Sequence, residues 1–83
     1  MTDIGFGNYV ASGRVVAIAS PESAPIKRLV QDGKEAGIVV DVTAGKKTNS
    51  VILTDSGHIV LSVLTPSEVQ TRLNKKTEET KHG

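Results

Sequence analysis

The side chains able to hold another molecule are basic, few and locally grouped: Arg14, the pairs Lys27-Arg28 and Lys46-Lys47, then Lys34 and Arg72, with Lys75, Lys76 and Lys81 near the C-terminus. Lys46-Lys47 follows Gly45 and precedes Thr48, on a connection between two apolar runs. Ammonium groups and free backbone amides in such a place reach phosphate oxygens without reading base sequence. Gly45-Lys46-Lys47-Thr48 looks like the end of a nucleotide phosphate loop, but that motif needs another glycine five residues before Gly45, and Val40 stands there within an apolar run. A nucleotide loop is therefore rejected, leaving phosphate contact or a merely solvated loop. Arg14 opens the apolar run Val15–Ala19, either as a phosphate clamp or as a charge guarding a strand edge. Lys27-Arg28 flanks Ile26 and Leu29 in a helical pattern and should face solvent or a neighbouring subunit.

Catalytic chemistry has little to work with. His58 follows a turn, His82 lies near the end, and no cysteine or third histidine exists to pair with either. Asp3, Asp32, Glu35, Asp41 and Asp55 are scattered and no metal-ligand spacing such as His-x-x-x-His occurs, so neither a hydrolytic centre, a metal site nor a cofactor is expected. Gly5-Phe6-Gly7 is a fragment of a dinucleotide fingerprint at most, and reads better as a turn with Phe6 anchoring the terminus. Phe6 and Tyr9 are the only aromatics, too few for the stacking platforms of single-strand binders. The 10 basic and 9 acidic residues give a net charge of +1, so any basic surface must come from spatial segregation.

These residues need a scaffold, and the apolar pattern supplies one. Tyr9–Ser12, Val15–Ala19, Ile38–Thr43, Val51–Thr54 and Ile59–Leu64 are rich in β-branched residues and read as strands. Asp55-Ser56-Gly57 has turn chemistry, so Val51–Leu64 is an antiparallel hairpin carrying His58 just past its turn. Continuous runs such as Val15-Val16-Ala17-Ile18 imply a sheet covered on both faces, with helices on one and another subunit on the other. Ser20 or Ser23 can cap a first helix, Pro25 sits in its first turn as a structural residue, and Gly37 closes it. Thr65-Pro66-Ser67-Glu68 is a capping box for a second helix, with Leu64 and Val69 as its hydrophobic staple. The expected class is α+β: a small, mostly antiparallel sheet with two helices in the order β-β-α-β-β-β-α.

Residues 1–73 form one expected domain, and Asn74–Gly83 a polar tail expected to fray into disorder. A chain of 83 residues buries a modest core, and self-association commonly supplies the remainder. Lack of cysteine, of a secretory leader pattern and of a membrane-length apolar run leads to the expectation of a cytoplasmic protein with no membrane partner.

Two strings then become specific. Ile4-Gly5-Phe6-Gly7-Asn8 and Ser20-Pro21-Glu22-Ser23-Ala24-Pro25-Ile26-Lys27-Arg28 resemble the RemA family of small extracellular-matrix regulators. The likeness continues through Asp41-Val42-Thr43-Ala44-Gly45-Lys46-Lys47-Thr48 and the hairpin to Thr65-Pro66-Ser67-Glu68-Val69 and Leu73, covering residues 4–73. The resemblance implies a non-enzymatic activator of biofilm-matrix genes, a ring-shaped homo-oligomer around which duplex DNA wraps, with no small-molecule substrate. It also implies DNA contact by Arg14, Lys46 and Lys47, with Lys27 and Arg28 as secondary DNA or interface contacts and Pro25 and Gly45 as structural residues. Where the family pattern has Arg-Arg this chain has Lys46-Lys47, and Asn49-Ser50 replaces an arginine and an alanine. Lysine lacks the bidentate fork of guanidinium, so this version suits phosphate contact better than base readout. A ring that kept its assembly but lost DNA contact is the alternative; an RNA binder ranks below it.

Overall fold

The computed structural model describes the backbone of residues 2–5, 8–10 and 12–82 and the side chains of residues 3–5 and 13–74. The expectation for Phe6 lies outside the described residues. Strands β1 (Thr2–Gly5) and β2 (Asn8–Val10) form a short antiparallel hairpin. After a 3-10 turn at Ser12–Arg14 come β3 (Val15–Ala19), α1 (Ala24–Ala36), β4 (Val39–Asp41), β5 (Ser50–Thr54), β6 (Ile59–Ser62) and α2 (Pro66–His82). The class is α+β with two helices, as expected, but the order gains β1, and the main sheet is mixed.

That sheet has four strands in the order β3-β5-β6-β4. β5 pairs antiparallel with both β3 and β6, whereas β4 runs parallel to β6, which corrects the mostly antiparallel expectation. The reason is the connection through α1. A helix returning the chain across the sheet makes β4 run in the direction of β3, and the β5–β6 hairpin, inserted between them antiparallel to β3, leaves β6 parallel to β4.

Alternation along the hairpin builds two cores. Val51, Ile59 and Leu61 face one way, against Ile26, Val30, Ile38, Val39 and Leu53. Ile52 and Val60 face the other way, against Ile4, Val69, Ile18, Val42, Leu64 and Leu73. Over the central strands one face is thus roofed by α1 and the other by α2 with β1, while Val16 and Val40 on the outer strands stay exposed. Ile4 is only 2% exposed, and its carbonyl accepts a 2.6 Å hydrogen bond from Ser62 Oγ, tying β1 to β6. Arg72 reinforces this by donating to the Asp3 carbonyl at 3.1 Å and lying 3.5 Å from the Asp3 carboxylate.

The helix ends follow their sequence signals closely. Ser23 is the N-cap of α1 through its backbone, its carbonyl accepting from Lys27 N at 2.9 Å, but its hydroxyl makes no capping bond. Pro25 stands in the first turn, and Gly37 closes the helix at φ 73°. At α2, Glu68 Oε1 accepts from Thr65 N at 2.9 Å and Thr65 Oγ1 from Glu68 N at 3.2 Å, a reciprocal capping box. The Thr65 N–H donated to the carboxylate, with the Thr65 hydroxyl adding in the same direction, favours the ionised form and holds the Glu68 pKa below its ordinary value. Helical backbone runs on through Asn74–His82, where a frayed tail was expected; Lys, Glu and Thr in this segment include no Gly or Pro to stop a helix.

α1 approaches the sheet most closely at Gly33, the only buried residue of that helix. A Cβ there would lie 2.6 Å from Ile59 Cδ1 and 3.1 Å from Val39 Cγ2. Gly33→Val should therefore lower the unfolding free energy by about 2 kcal/mol through overpacking. Chemical denaturation checks this, and an unchanged midpoint would show the helix–sheet contact to be looser than described.

Candidate nucleic-acid interface

Residues 42–49 connect β4 to β5 by crossing the end of β6, and the crossing is tied down at each side. Val42 N donates to Leu61 O at 3.0 Å, Asn49 N to Ser62 O at 2.8 Å, and Asn49 Nδ2 to Val63 O at 2.8 Å. At its start the Asp41 carboxylate accepts from Thr43 N at 2.9 Å and Thr43 Oγ1 at 2.6 Å. Thr43 is buried, and its two bonds lower the Asp41 pKa, with the charge of Lys34 adding in the same direction. Lys46 N then donates to Thr43 O at 3.0 Å, closing a tight turn whose inner residues, Ala44 and Gly45, have φ 54° and 80°. Glycine takes this conformation freely, while alanine pays on the order of 1 kcal/mol for it. The anchors around the turn hold Ala44 there, so the loop has a fixed shape with exposed Lys46 and Lys47 at its tip.

Arg14 stands elsewhere. Val15 pairs with Thr54 and Ala19 with Val51, so Arg14 lies at the hairpin-turn end of β5 and the lysine loop at the opposite end. A five-residue strand such as β5 is roughly 17 Å long. Arg14 is exposed and ion-paired with Asp55 at 3.4 Å, a solvent-screened contact worth well under about 1 kcal/mol that phosphate could replace. His58 belongs to the same turn, its Nδ1 3.0 Å from Ser56 Oγ. Within one protomer, then, Arg14 is not brought together with Lys46 and Lys47.

Lys27 projects from the first turns of α1, which begins at the lysine-loop end of the sheet, and lines a groove together with Lys34 and with Thr48, the residue after Lys47. Arg28 is exposed on the same helix but does not line that groove. None of Lys27, Arg28, Lys34, Lys46 or Lys47 forms an ion pair among the described residues. Ser50 is completely buried and Asn49 serves as a loop anchor, so these two positions shape the loop and Ser50 adds nothing to the surface. Sequence reasoning missed the anchoring role of Asn49 and the clamp of Asp41 on Thr43. The Asp-x-Thr spacing, which permits such a turn, was the available signal for the latter. Lys34, seven residues after Lys27 and on the same helix face, was also detectable by period. No group of His, Cys, Asp and Glu among the described residues could hold a metal ion, and no described helix is long and apolar enough to cross a membrane.

A family model described as "RemA-like: Extracellular matrix regulatory protein A-like" matches residues 1–73. This chain belongs to the RemA-like family. A relative from Acetivibrio thermocellus is 54% identical over 79 residues, covering 95% of this chain and 85% of its own. One from Synechococcus sp. is 57% identical over 72 residues, covering 87% and 81%. A third, from Clostridium botulinum, is 51% identical over 79 residues, covering 95% and 87%. Their names assign them to regulation and to nothing more specific. Family and relatives thus place this RemA-like chain among regulatory proteins.

The clamp at Asp41 makes the loop sensitive to acid. Because the folded-state pKa lies below the ordinary carboxylate value, its contribution is present above that value and fades as pH falls through the lowered one. The protection factors of the Thr43 and Lys46 amides, exchange relative to the intrinsic rate at each pH, should fall below about pH 4 in the wild type, and should be low already at neutral pH in Asp41→Ala, which has no acceptor for the Thr43 N–H and hydroxyl. Equal protection in the two proteins at neutral pH would remove the clamp from this account.

Proposed function

We propose that this RemA-like protein is a DNA-binding transcriptional regulator of the extracellular-matrix type, acting in the cytoplasm on the nucleoid as a closed ring of identical subunits. The observation that carries the reading is the position of Lys46 and Lys47. They are exposed, free of ion pairs, and presented by a loop fixed through the Asp41 and Asn49 hydrogen bonds. Phosphate contact needs such preset positive charge and no more. Arg14, about a strand length away on the same protomer, joins the lysines in a continuous track only if one subunit's Arg14 end approaches the next subunit's lysine loop.

The edges of the sheet support such a head-to-tail arrangement. β3 and β4 are the two outer strands, and each exposes a valine, Val16 at 68% and Val40 at 44%. Two different edges cannot be self-complementary, and repeated contact between unlike surfaces closes into a ring when the rotation permits. Phosphate contacts repeated around a ring favour bent duplex DNA and read deformability more than base identity. Several weak lysine contacts made at once bind far more tightly than one. The same exposed edges favour a second reading, an oligomeric scaffold that binds no DNA.

Light scattering on the wild type should give a mass of many subunits, and binding to a duplex a few helical turns long should weaken steeply with added salt. Lys46→Ala/Lys47→Ala and Arg14→Ala should each keep that mass and lose at least about tenfold in affinity at low salt. Unchanged affinity in both variants would sink the DNA interface drawn here, and a large oligomer indifferent to duplex DNA at low salt would leave only the scaffold.

A further inference from the structure

The groove beside the lysine loop has a composition that phosphate contact along a duplex does not require. It encloses about 300 Å³ between α1 and Thr48, at the small end of the range for sites that hold metabolites. Its floor is apolar: the half-buried Pro21 and Val30, beneath which lie Val51 and Leu61 of the two central strands, 0% and 5% exposed. Its rim carries two ammonium groups, Lys27 and Lys34, and the Thr48 hydroxyl. Lys27 and Lys34 are seven residues apart on a helix, hence on one flank, while by the same period Asp32 falls on the other side and Glu35 about a quarter-turn away. No carboxylate lines the groove. The acidic group that feels Lys34, Asp41, already has its carboxylate committed to Thr43.

We propose that this groove is a binding site for a small phosphomonoester with an apolar or planar body, of mononucleotide size or less. A phosphomonoester carries a charge of about −2 at neutral pH and three strong acceptor oxygens, which match two unpaired ammonium groups and a hydroxyl. Its organic part would cover Pro21 and Val30, half-buried side chains that inorganic phosphate leaves partly in water. DNA phosphates, fixed on a backbone, cannot bring an apolar body to this floor. The site therefore differs in chemistry from the Lys46-Lys47 tip, and the proposal does not rest on the DNA reading.

The test is a titration of the full chain, methyl-labelled at Val and Leu, with phenyl phosphate, with inorganic phosphate and with benzyl alcohol. Phenyl phosphate should shift the Val30, Val51 and Leu61 methyl signals to saturation with a Kd below about 1 mM. The other two, each offering half of the chemistry, should bind at least about tenfold more weakly. Lys27→Gln/Lys34→Gln should keep the ligand-free positions of those methyl signals, showing an intact floor, and lose about tenfold in affinity. No saturation by phenyl phosphate, equal binding of inorganic phosphate, or full binding by the double variant would each overturn the proposal. So would a drop in oligomer mass in that variant, because the lysines would then face a neighbouring copy. No DNA is present, so failure here leaves the DNA reading standing.

Discussion

Every layer of this protein is placed by the β5–β6 hairpin, whose two strands pair residue by residue from Ser50–Ser62 to Leu53–Ile59. Each of these strands is apolar on both faces, and each face is a separate core. Sliding the register by one residue would exchange Val51 and Leu61 for Ile52 and Val60, presenting every side chain to the wrong roof. The hairpin is thus pinned twice, once by α1 and once by α2 with β1. Its turn end stands beside Arg14, through the Arg14–Asp55 pair, and its open end supplies the anchors of the lysine loop. The separation of the basic residues follows from the length of these strands.

Much of this scaffold was readable in the sequence because its signals are local. The Thr65–Glu68 capping box, the Asp55-Ser56-Gly57 turn and the Gly37 helix stop each depend on residues a few positions apart, and the structure contains all three. The parallel pairing of β4 with β6 was not readable, since it depends on where a crossover lands rather than on strand composition. β1 was missed because Thr-Asp-Ile-Gly has one apolar residue and no alternation; Ile4 is buried only because Ser62 and the α2 face receive it. Continuous apolar runs indicated two covered faces, which holds for β5 and β6, whereas Val16 and Val40, in the runs on the outer strands that carried the inference, stay exposed.

The same division holds at the candidate interface. Residue type left Lys46-Lys47 and Arg14 with open alternatives and the family resemblance made them DNA contacts, but their placement at opposite ends of β5 is a matter of strand register, invisible in a linear reading. Arg14 and Arg72 hold the two ion pairs found among the described side chains, while four lysines stand unpaired around the loop and the α1 flank.

Gly33 has an effect beyond packing. With no side chain between α1 and β6, the helix axis is set by backbone meeting Ile59 and Val39, and a backbone spacer has no rotamers to change. The width of the adjoining groove is consequently stiff, a mould rather than a hinge. A molecule that enters finds the floor already assembled, and the entropic toll of its arrival falls on Lys27 and Lys34, about 1 kcal/mol for each side chain immobilised.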